Sequence, residues 1–422
     1  MTASGPGFVL VAPDKFRGSL SAVEVAGRVA AGLRAARPDL PVVTLPVADG
    51  GDGTAEAAVA AGFTRRTARV TGPTGEPVTA GYAERDGVAV IELAEASGLH
   101  RLRRLAPLDA GSEGTGELIA AALAGGARRV VLGLGGSACT DGGAGLVRAL
   151  GVRTLDARGR ELPPGGAALR RLDALDLTGF ERAPGVEFVV ACDVDNPLLG
   201  AEGAAAVYGP QKGAGPAELP VLEEGLARWA DVAERDLGVR VRDRPGAGAA
   251  GGVGFAAMAF LGARLEPGIG LLLDLVGFAE HLPGALLVVT GEGSLDEQTL
   301  RGKAPAGVAA AAARAGVPVV AVCGRRALDD GRLRAAGIEA AYALSDIEDD
   351  VRRCMAEAGP LLERLAAQVA ADRLPAPARP GSALRAAGPA SGGAGADRSV
   401  PGPVPGAVPG PVPGADLPGA GG

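Results

Sequence analysis

The 422-residue sequence predicts an α/β protein, and three observations carry that prediction. Short apolar runs of strand type recur along the chain, and most end in a glycine-rich turn that opens an alanine-rich helical segment. Glycine accounts for 69 residues and aromatic residues for only 3%, a composition of tight turns and small-residue packing. The last repeats read strand, helix, strand, helix, as half of a doubly wound sheet does. The length suggests two or three domains. A formal net charge of −7 argues against nucleic acid or an anionic membrane as main partner, while leaving room for a local cationic pocket that takes a small anion.

The first strand is the apolar run Phe8 to Ala12, followed by hydroxyls at Ser19 and Ser21 that open a helix reaching about Arg37. Pro38 and Pro41 end it, and Val42 to Val47 gives the second strand. That strand runs into Asp49-Gly50-Gly51-Asp52-Gly53-Thr54 and a helix through Ala61. Bare backbone N–H groups in such a turn suit an anion, and the flanking carboxylates suit a metal ion bound to it. Val70 to Leu93 alternates in shorter runs and reads as a β-rich insertion. After a helix at Gly116 to Ala124, the strand Arg129 to Leu134 ends in a second glycine nest, Gly135-Gly136-Ser137, which leads past Asp141 into a helix at Leu146. The strand Glu187 to Ala191 delivers Asp193 and Asp195 on one side, with Asn196 directly after them. Oxygen ligands of this kind suit Mg²⁺, and an Asx-turn before Pro197 accounts for the same residues equally well.

Lys212 sits on the turn Gly209 to Gly213, ahead of a helix at Leu219 to Leu237 whose Trp229 reads as packing. A third glycine cluster, Pro245 to Gly254, opens the helix Phe255 to Leu261. The strand Leu286 to Thr290 runs into Glu292, Ser294 and Asp296, then Gly302-Lys303-Ala304-Pro305 and a helix to Ala315. Strands at Val317 to Cys323 and Ile338 to Leu344 and a helix from about Asp349 to Ala371 complete the fold. From about 374 the chain is Pro, Gly, Ala and Ser with no apolar period, and is expected to be disordered or polyproline-like. Right-handed crossovers place the glycine turns at the carboxyl edge of their sheet, where ligands bind.

The four cysteines form no CxxC and the only histidines are His100 and His281, which excludes the usual zinc patterns and a histidine triad. No apolar run is long enough to cross a membrane and no leader pattern is visible, so the expectation is a cytoplasmic protein. Of 42 basic residues only three are lysine, Lys15, Lys212 and Lys303, each in a turn beside Gly or Pro. A compact ammonium there suits a phosphate contacted as a point charge. Glycine nests, dispersed Asp and lone Lys describe phosphoryl transfer better than hydrolysis, yet the chain has no GxxxxGK[ST] loop and no protein-kinase motif set. The residues alone lead to an ATP- or phosphate-using α/β enzyme.

Seven segments narrow this further: APDKFRGSLSA, PVADGGDGT, GLGGSACTDGGAG, CDVDNPLLGAEGA, GPQKGA, PGAGAAGGVG and TGEGSLDEQTLRGKAP. In this order they resemble the bacterial type I glycerate kinase family over roughly Phe8 to Ala371. The resemblance implies ATP- and Mg²⁺-dependent phosphorylation of D-glycerate to 2-phosphoglycerate or 3-phosphoglycerate. It also implies a Rossmann-like parallel-sheet domain built from both chain ends (1–65 and 286–373) that carries a large inserted α/β domain (66–285), with the tail 374–422 outside both. In this frame Lys15 and Lys303 neutralise phosphate, Asp49 is the candidate base, and Asp193 with Asp296 holds Mg²⁺; Asp49 and Asp193 can exchange roles. Asp14, Gly50, Gly51, Gly135, Gly136, Ser137, Asp141, Asn196, Lys212 and Glu292 complete the expected binding set. A kinase for another small hydroxy acid and a non-catalytic sensor on the same fold are the competing readings, and the oligomeric state is left open. The sequence departs from the family pattern at Asp52 (usually Glu), at Cys139-Thr140 (usually Thr-Asn) and at Ser294, where Arg is frequent; Arg301 or Lys303 stands near enough in sequence to replace that arginine.

Overall fold

The computed structural model describes residues 7–180 and 183–375. Strand β1 (Phe8–Val11) is an apolar run that is buried on both faces beyond its first residue, as a central parallel strand requires. The helix Ala22–Ala36 follows. Its start is fixed by Ser21, whose hydroxyl accepts from the Glu24 N–H (3.3 Å) while the Glu24 carboxylate accepts from the Ser21 N–H (2.8 Å). Strand β2 (Val42–Thr44) is shorter than the expected Val42 to Val47, because Pro46 interrupts the ladder by lacking an N–H.

The chain then enters a second sheet. Strands β3 (Thr64–Thr71), β4 (Pro77–Arg85) and β5 (Val88–Glu92) form a meander in which each strand runs antiparallel to the next, in the β-rich insertion that the alternating runs predict. Strand β6 (Arg129–Gly133) pairs parallel with β5. A two-stranded hairpin of β7 (Arg153–Leu155) and β8 (Ala174–Asp176), not expected from the sequence, stands apart from both sheets. Strands β9 (Glu187–Ala191) and β10 (Arg264–Glu266) complete the six-stranded order β10-β9-β6-β5-β4-β3. The chain returns to the first sheet with β11 (Ala285–Leu295), β12 (Val319–Arg326) and β13 (Ala340–Ala343).

The first sheet is wholly parallel, in the order β13-β12-β11-β1-β2. Counted within the sheet this is 2-1-3-4-5, the flavodoxin-type doubly wound order, rather than the 3-2-1-4-5-6 order of the dinucleotide fold; its switch point lies between β1 and β11. One face is covered by the helices Ala22–Ala36 and Ala358–Arg373 and the other by Gly268–Leu275 and Ala304–Arg314. The expected single last helix is two, Val351–Ala356 and Ala358–Arg373, because Pro360 is tolerated only in the first turn of a new helix. No described helix is long and apolar enough to cross a membrane.

The helix Gly268–Leu275 joins the two sheets. Ile269 and Leu273 enter the core of the first sheet, while Leu271 and Leu272 pack on Val131, Val189 and Ala191 of the second. Its first residue has no room for a side chain, since a Cβ on Gly268 would overlap the Asp49 carbonyl oxygen. Gly268→Ala therefore forces the β2 turn away from the helix, and its urea unfolding free energy is expected to fall by about 1–3 kcal/mol. Gly270→Ala, at an exposed position of the same helix with nothing within 4 Å of the new methyl, is the control: it should be neutral or stabilising by up to about 1 kcal/mol.

Candidate active site

The carboxyl ends of the parallel strands converge on two clefts. The first, about 430 Å³, opens at the switch point of the first sheet. The Asp14-Lys15 turn that follows β1 forms one wall, with Glu292 and Ser294 of β11 opposite, Lys303 at the start of the helix Ala304–Arg314, and Arg325 of β12. Its far end is apolar, made by Leu344, Val351 and Met355. Val351 and Met355 are among the most exposed large apolar side chains described. The second cleft, about 600 Å³, lies where the β2 turn meets the ends of β6 and β9. Asp49 and Arg17 belong to the walls of both.

Burial sets the electrostatics of the first cleft. Asp14 is 5% exposed and Glu292 6%. Desolvation raises the Asp14 carboxyl to about 6 against the pull of Lys15, whose Nζ lies 3.5 Å away; the charge of Asp49 adds to the rise. Glu292 is pushed up to about 7 by burial, opposed by a hydrogen bond from the Thr299 hydroxyl and by Lys303 at 3.8 Å. Burial works against the charge of Lys15, but Asp14, Asp49 and Asp52 carry its ammonium above the ordinary range. In the second cleft Asp193 faces solvent, yet the crowding walls desolvate its carboxyl and raise it to about 6, with Asp49 adding to the rise. One Asp193 oxygen accepts from the Gly268 N–H (2.9 Å), at the start of the helix that joins the sheets.

The expected residues divide between these clefts. Asp14, Lys15, Asp49, Glu292, Asp296 and Lys303 line the first, and Asp49, Gly50, Gly51, Gly135, Gly136, Ser137, Asp193 and Lys212 the second. Asp193 and Asp296 are therefore on different clefts, and Asp296 spends its carboxylate on the Gln298 N–H (2.9 Å) and the Ser294 hydroxyl (3.4 Å). Asp141 and Asn196 line neither. Asp141, 1% exposed, accepts from Ser112, Gly143 and Gly145 and holds its own glycine turn in shape. Asn196 braces its loop through the Glu202 carbonyl and the Tyr208 hydroxyl. The two glycine nests touch each other: a Cβ on Gly135 would stand 2.5 Å from the Gly51 Cα, and Gly50, at φ +89°, backs onto Ala191. These glycines are required for backbone contact as well as for exposing N–H groups.

Sequence reasoning passed over four groups of side chains. Arg17 shares the turn of Lys15 and has no ion-pair partner among the described residues, and its place two residues after the lysine was the available signal. Glu92 interrupts the apolar end of β5; it is buried, raised to about 7 by desolvation, and accepts from the Gly53 and Ala55 N–H groups. Arg325 lies directly opposite Ser294 in the β11–β12 register, so a guanidinium reaches this cleft from the neighbouring strand. Tyr208 and Gln211 complete the second cleft beside Lys212.

A doubly wound sheet with buried carboxylates, lysines and an apolar end at its switch point, joined through a shared wall to a second polar cleft, is the architecture of an α/β enzyme. Comparison with known proteins gives the particular group. The family model described as "Glycerate kinase family" matches residues 9–373. The chain is 45% identical over 369 residues to the glycerate kinase of Bacillus subtilis (strain 168), covering 86% of this chain and 97% of that one. It is 45% identical over 342 residues to the glycerate 2-kinase of Escherichia coli (strain K12), covering 80% and 90%. A crystal structure from Salmonella typhimurium LT2, provisionally named glycerate kinase 2, superposes with a TM-score of 0.76 at 42% identity, covering 87% of this chain and 98% of that one. The chain belongs to the glycerate kinase family and is an enzyme of that family.

The raised Glu292 carboxyl sets a pH test. Its folded value near 7 stands above the ordinary 4.5, so the folded state resists its ionisation, and stability that is present below about pH 4.5 is lost as pH climbs through about 7. Glu292→Gln keeps an acceptor for Thr299 and cannot ionise. Measured by urea unfolding, it should gain stability relative to the parent between about pH 4.5 and 7, with the difference constant above about pH 8; a pH-independent difference would contradict the assignment.

Proposed function

We propose that the protein is an ATP-dependent D-glycerate kinase of the type I class that forms 2-phosphoglycerate, an organic acid phosphorylation. The observation that carries this reading is the shared wall: a phosphoryl donor in the first cleft and an acceptor in the second meet at Asp49 and Arg17. Lys15, Lys303 and Arg325 suit phosphate oxygens in the first cleft, and Leu344, Val351 and Met355 offer an apolar seat for the base. The E. coli relative named glycerate 2-kinase supports the 2-phosphate as product. In this reading residues 1–65 and 286–373 form the nucleotide lobe and 66–285 the acid lobe.

The donor set fits a hard cation, because both clefts present carboxylate oxygens and Asp52 keeps a buried Oδ1 without a partner. Asp49, lying within the field of both Asp14 and Asp193, would hold Mg²⁺ with Asp14 more readily than the separated Asp193 and Asp296. No three His, Cys, Asp or Glu side chains among the described residues could hold a metal by themselves, so phosphate oxygens and water would complete the shell. Mg²⁺ supplies neutralisation of phosphate charge when bound. Asp193 then takes the role of base: it stands on the acid cleft alone, is anchored by the Gly268 N–H, and titrates near 6, which lets it accept the hydroxyl proton at neutral pH.

A coupled ADP-release assay with D-glycerate, ATP and Mg²⁺, with ³¹P NMR of the product, tests the function. ADP release that requires D-glycerate and a phosphomonoester on C2 are expected. A C3 ester would correct the product, and ATP binding without ADP release for any small 2-hydroxy acid would leave a sensor. Asp193→Asn is expected to lose roughly 10²–10⁴-fold in kcat while ATP–Mg²⁺ binding by calorimetry is unchanged; retained turnover would return the role of base to Asp49.

A further inference from the structure

Lys212 differs from the other two lysines. Lys15 and Lys303 each face a carboxylate, at 3.5 and 3.8 Å. Lys212 makes no ion pair among the described residues although it is only 2% exposed; its Nζ donates to the Cys139 carbonyl at 2.6 Å. Burying an ammonium whose only hydrogen-bond partner is a carbonyl is costly, and this chain uses Arg for nearly every other positive charge. Burial holds the Lys212 ammonium below its usual range, opposed by the charge of Asp141. The surrounding backbone is strained in the same place. Ala250, on the wall of the second cleft, is held at φ +53°, and with Gly251 and Gly252 it forms a left-handed turn pressed against the Cys139 carbonyl. The strained turn and the buried amine thus fix the same carbonyl, at the edge of the second cleft, where Lys212 is the one lysine among the lining residues.

We propose that Lys212 is the carboxylate-binding residue of the acid cleft: held by the Cys139 carbonyl, its ammonium takes the substrate's carboxylate and so selects hydroxy acids over neutral polyols and amides. This rests on the reading of the second cleft as the acceptor site. A free ammonium has three donors and the carbonyl uses one, which leaves a charge and donors for an anion. Asp193 lines the same cleft.

The experiment is equilibrium binding by calorimetry without nucleotide, using D-glycerate and its neutral amide on the parent and on Lys212→Gln and Lys212→Met, with unfolding midpoints recorded for each. Glutamine keeps a donor for the Cys139 carbonyl and removes the charge; methionine fills the space without either. The parent is expected to prefer the acid over the amide strongly. Both variants should lose acid affinity about 100-fold or more, as truncating one member of a buried charge pair does, while amide affinity stays level and the preference disappears. If folded variants keep the acid-to-amide ratio, Lys212 is a structural strut and the proposal falls while the kinase reading stands. If the parent binds D-glycerate no better than its amide, the proposal also falls; ADP release in the coupled assay then decides separately whether the kinase reading survives.

Discussion

The contact between the turn after β2 and the elements around it governs the rest of the molecule. Three backbones meet there at a distance that no side chain permits: the Asp49 carbonyl lies on Gly268, Gly135 lies on Gly51, and Gly50 backs onto Ala191. The turn belongs to the first sheet, whereas β6 and β9 belong to the second, so the carboxyl edges of both sheets are pinned to the stretch Asp49-Gly50-Gly51. Packing this close transmits displacement rather than absorbing it. Asp49 can stand on both clefts because its own backbone is part of the joint.

Desolvation follows from that closeness. Carboxylates at the ends of β1, β5, β9 and β11 are brought to a region where water is partly excluded, and Asp14, Glu92, Asp193 and Glu292 all rise above their ordinary range, with burial the first cause in each case. Such groups cost stability at neutral pH, and perturbed carboxyls of this kind cluster at functional sites. The lysines divide on the same basis. Two are placed beside raised carboxylates, and the third makes no ion pair among the described residues and donates to a carbonyl.

Much of this was legible in the sequence, and the boundary of legibility is physical. The strands of the first sheet announce themselves because a parallel strand covered on both faces must be an unbroken apolar run, as Val9 to Ala12 and Val319 to Cys323 are. The strand order was not legible, because the crossover that places β11 beside β1 spans the whole second sheet and no local pattern records it. Cleft residues on glycine turns were found because glycine clusters are visible. Arg17, Arg325 and Glu92 were missed because a single charged residue in a turn or at a strand end has no period. Asp141 and Asn196 carried the same visible signal as the cleft residues, yet their polar atoms are taken up within the fold, Asp141 by Ser112, Gly143 and Gly145 and Asn196 by Glu202 and Tyr208.

The departure at Ser294 shows how far linear comparison reaches. The resemblance implies an arginine after Gly291-Glu292-Gly293, and along the chain Arg301 or Lys303 is the nearest substitute. In the sheet the nearest is neither. Strand β11 continues past the end of β1, and only β12 accompanies it, so Ser294 and Arg325 are direct partners in a two-stranded arm over the first cleft. Lys303 is already engaged by Glu292, whereas Arg325 has no ion-pair partner among the described residues. A guanidinium supplied from the opposite strand enters the same space as one supplied from position 294, since directly paired residues project to the same face. The parallel register thus brings a cation from β12 to the wall where β11 carries Ser294, and the cationic character of the cleft is a property of the strand pair rather than of either strand.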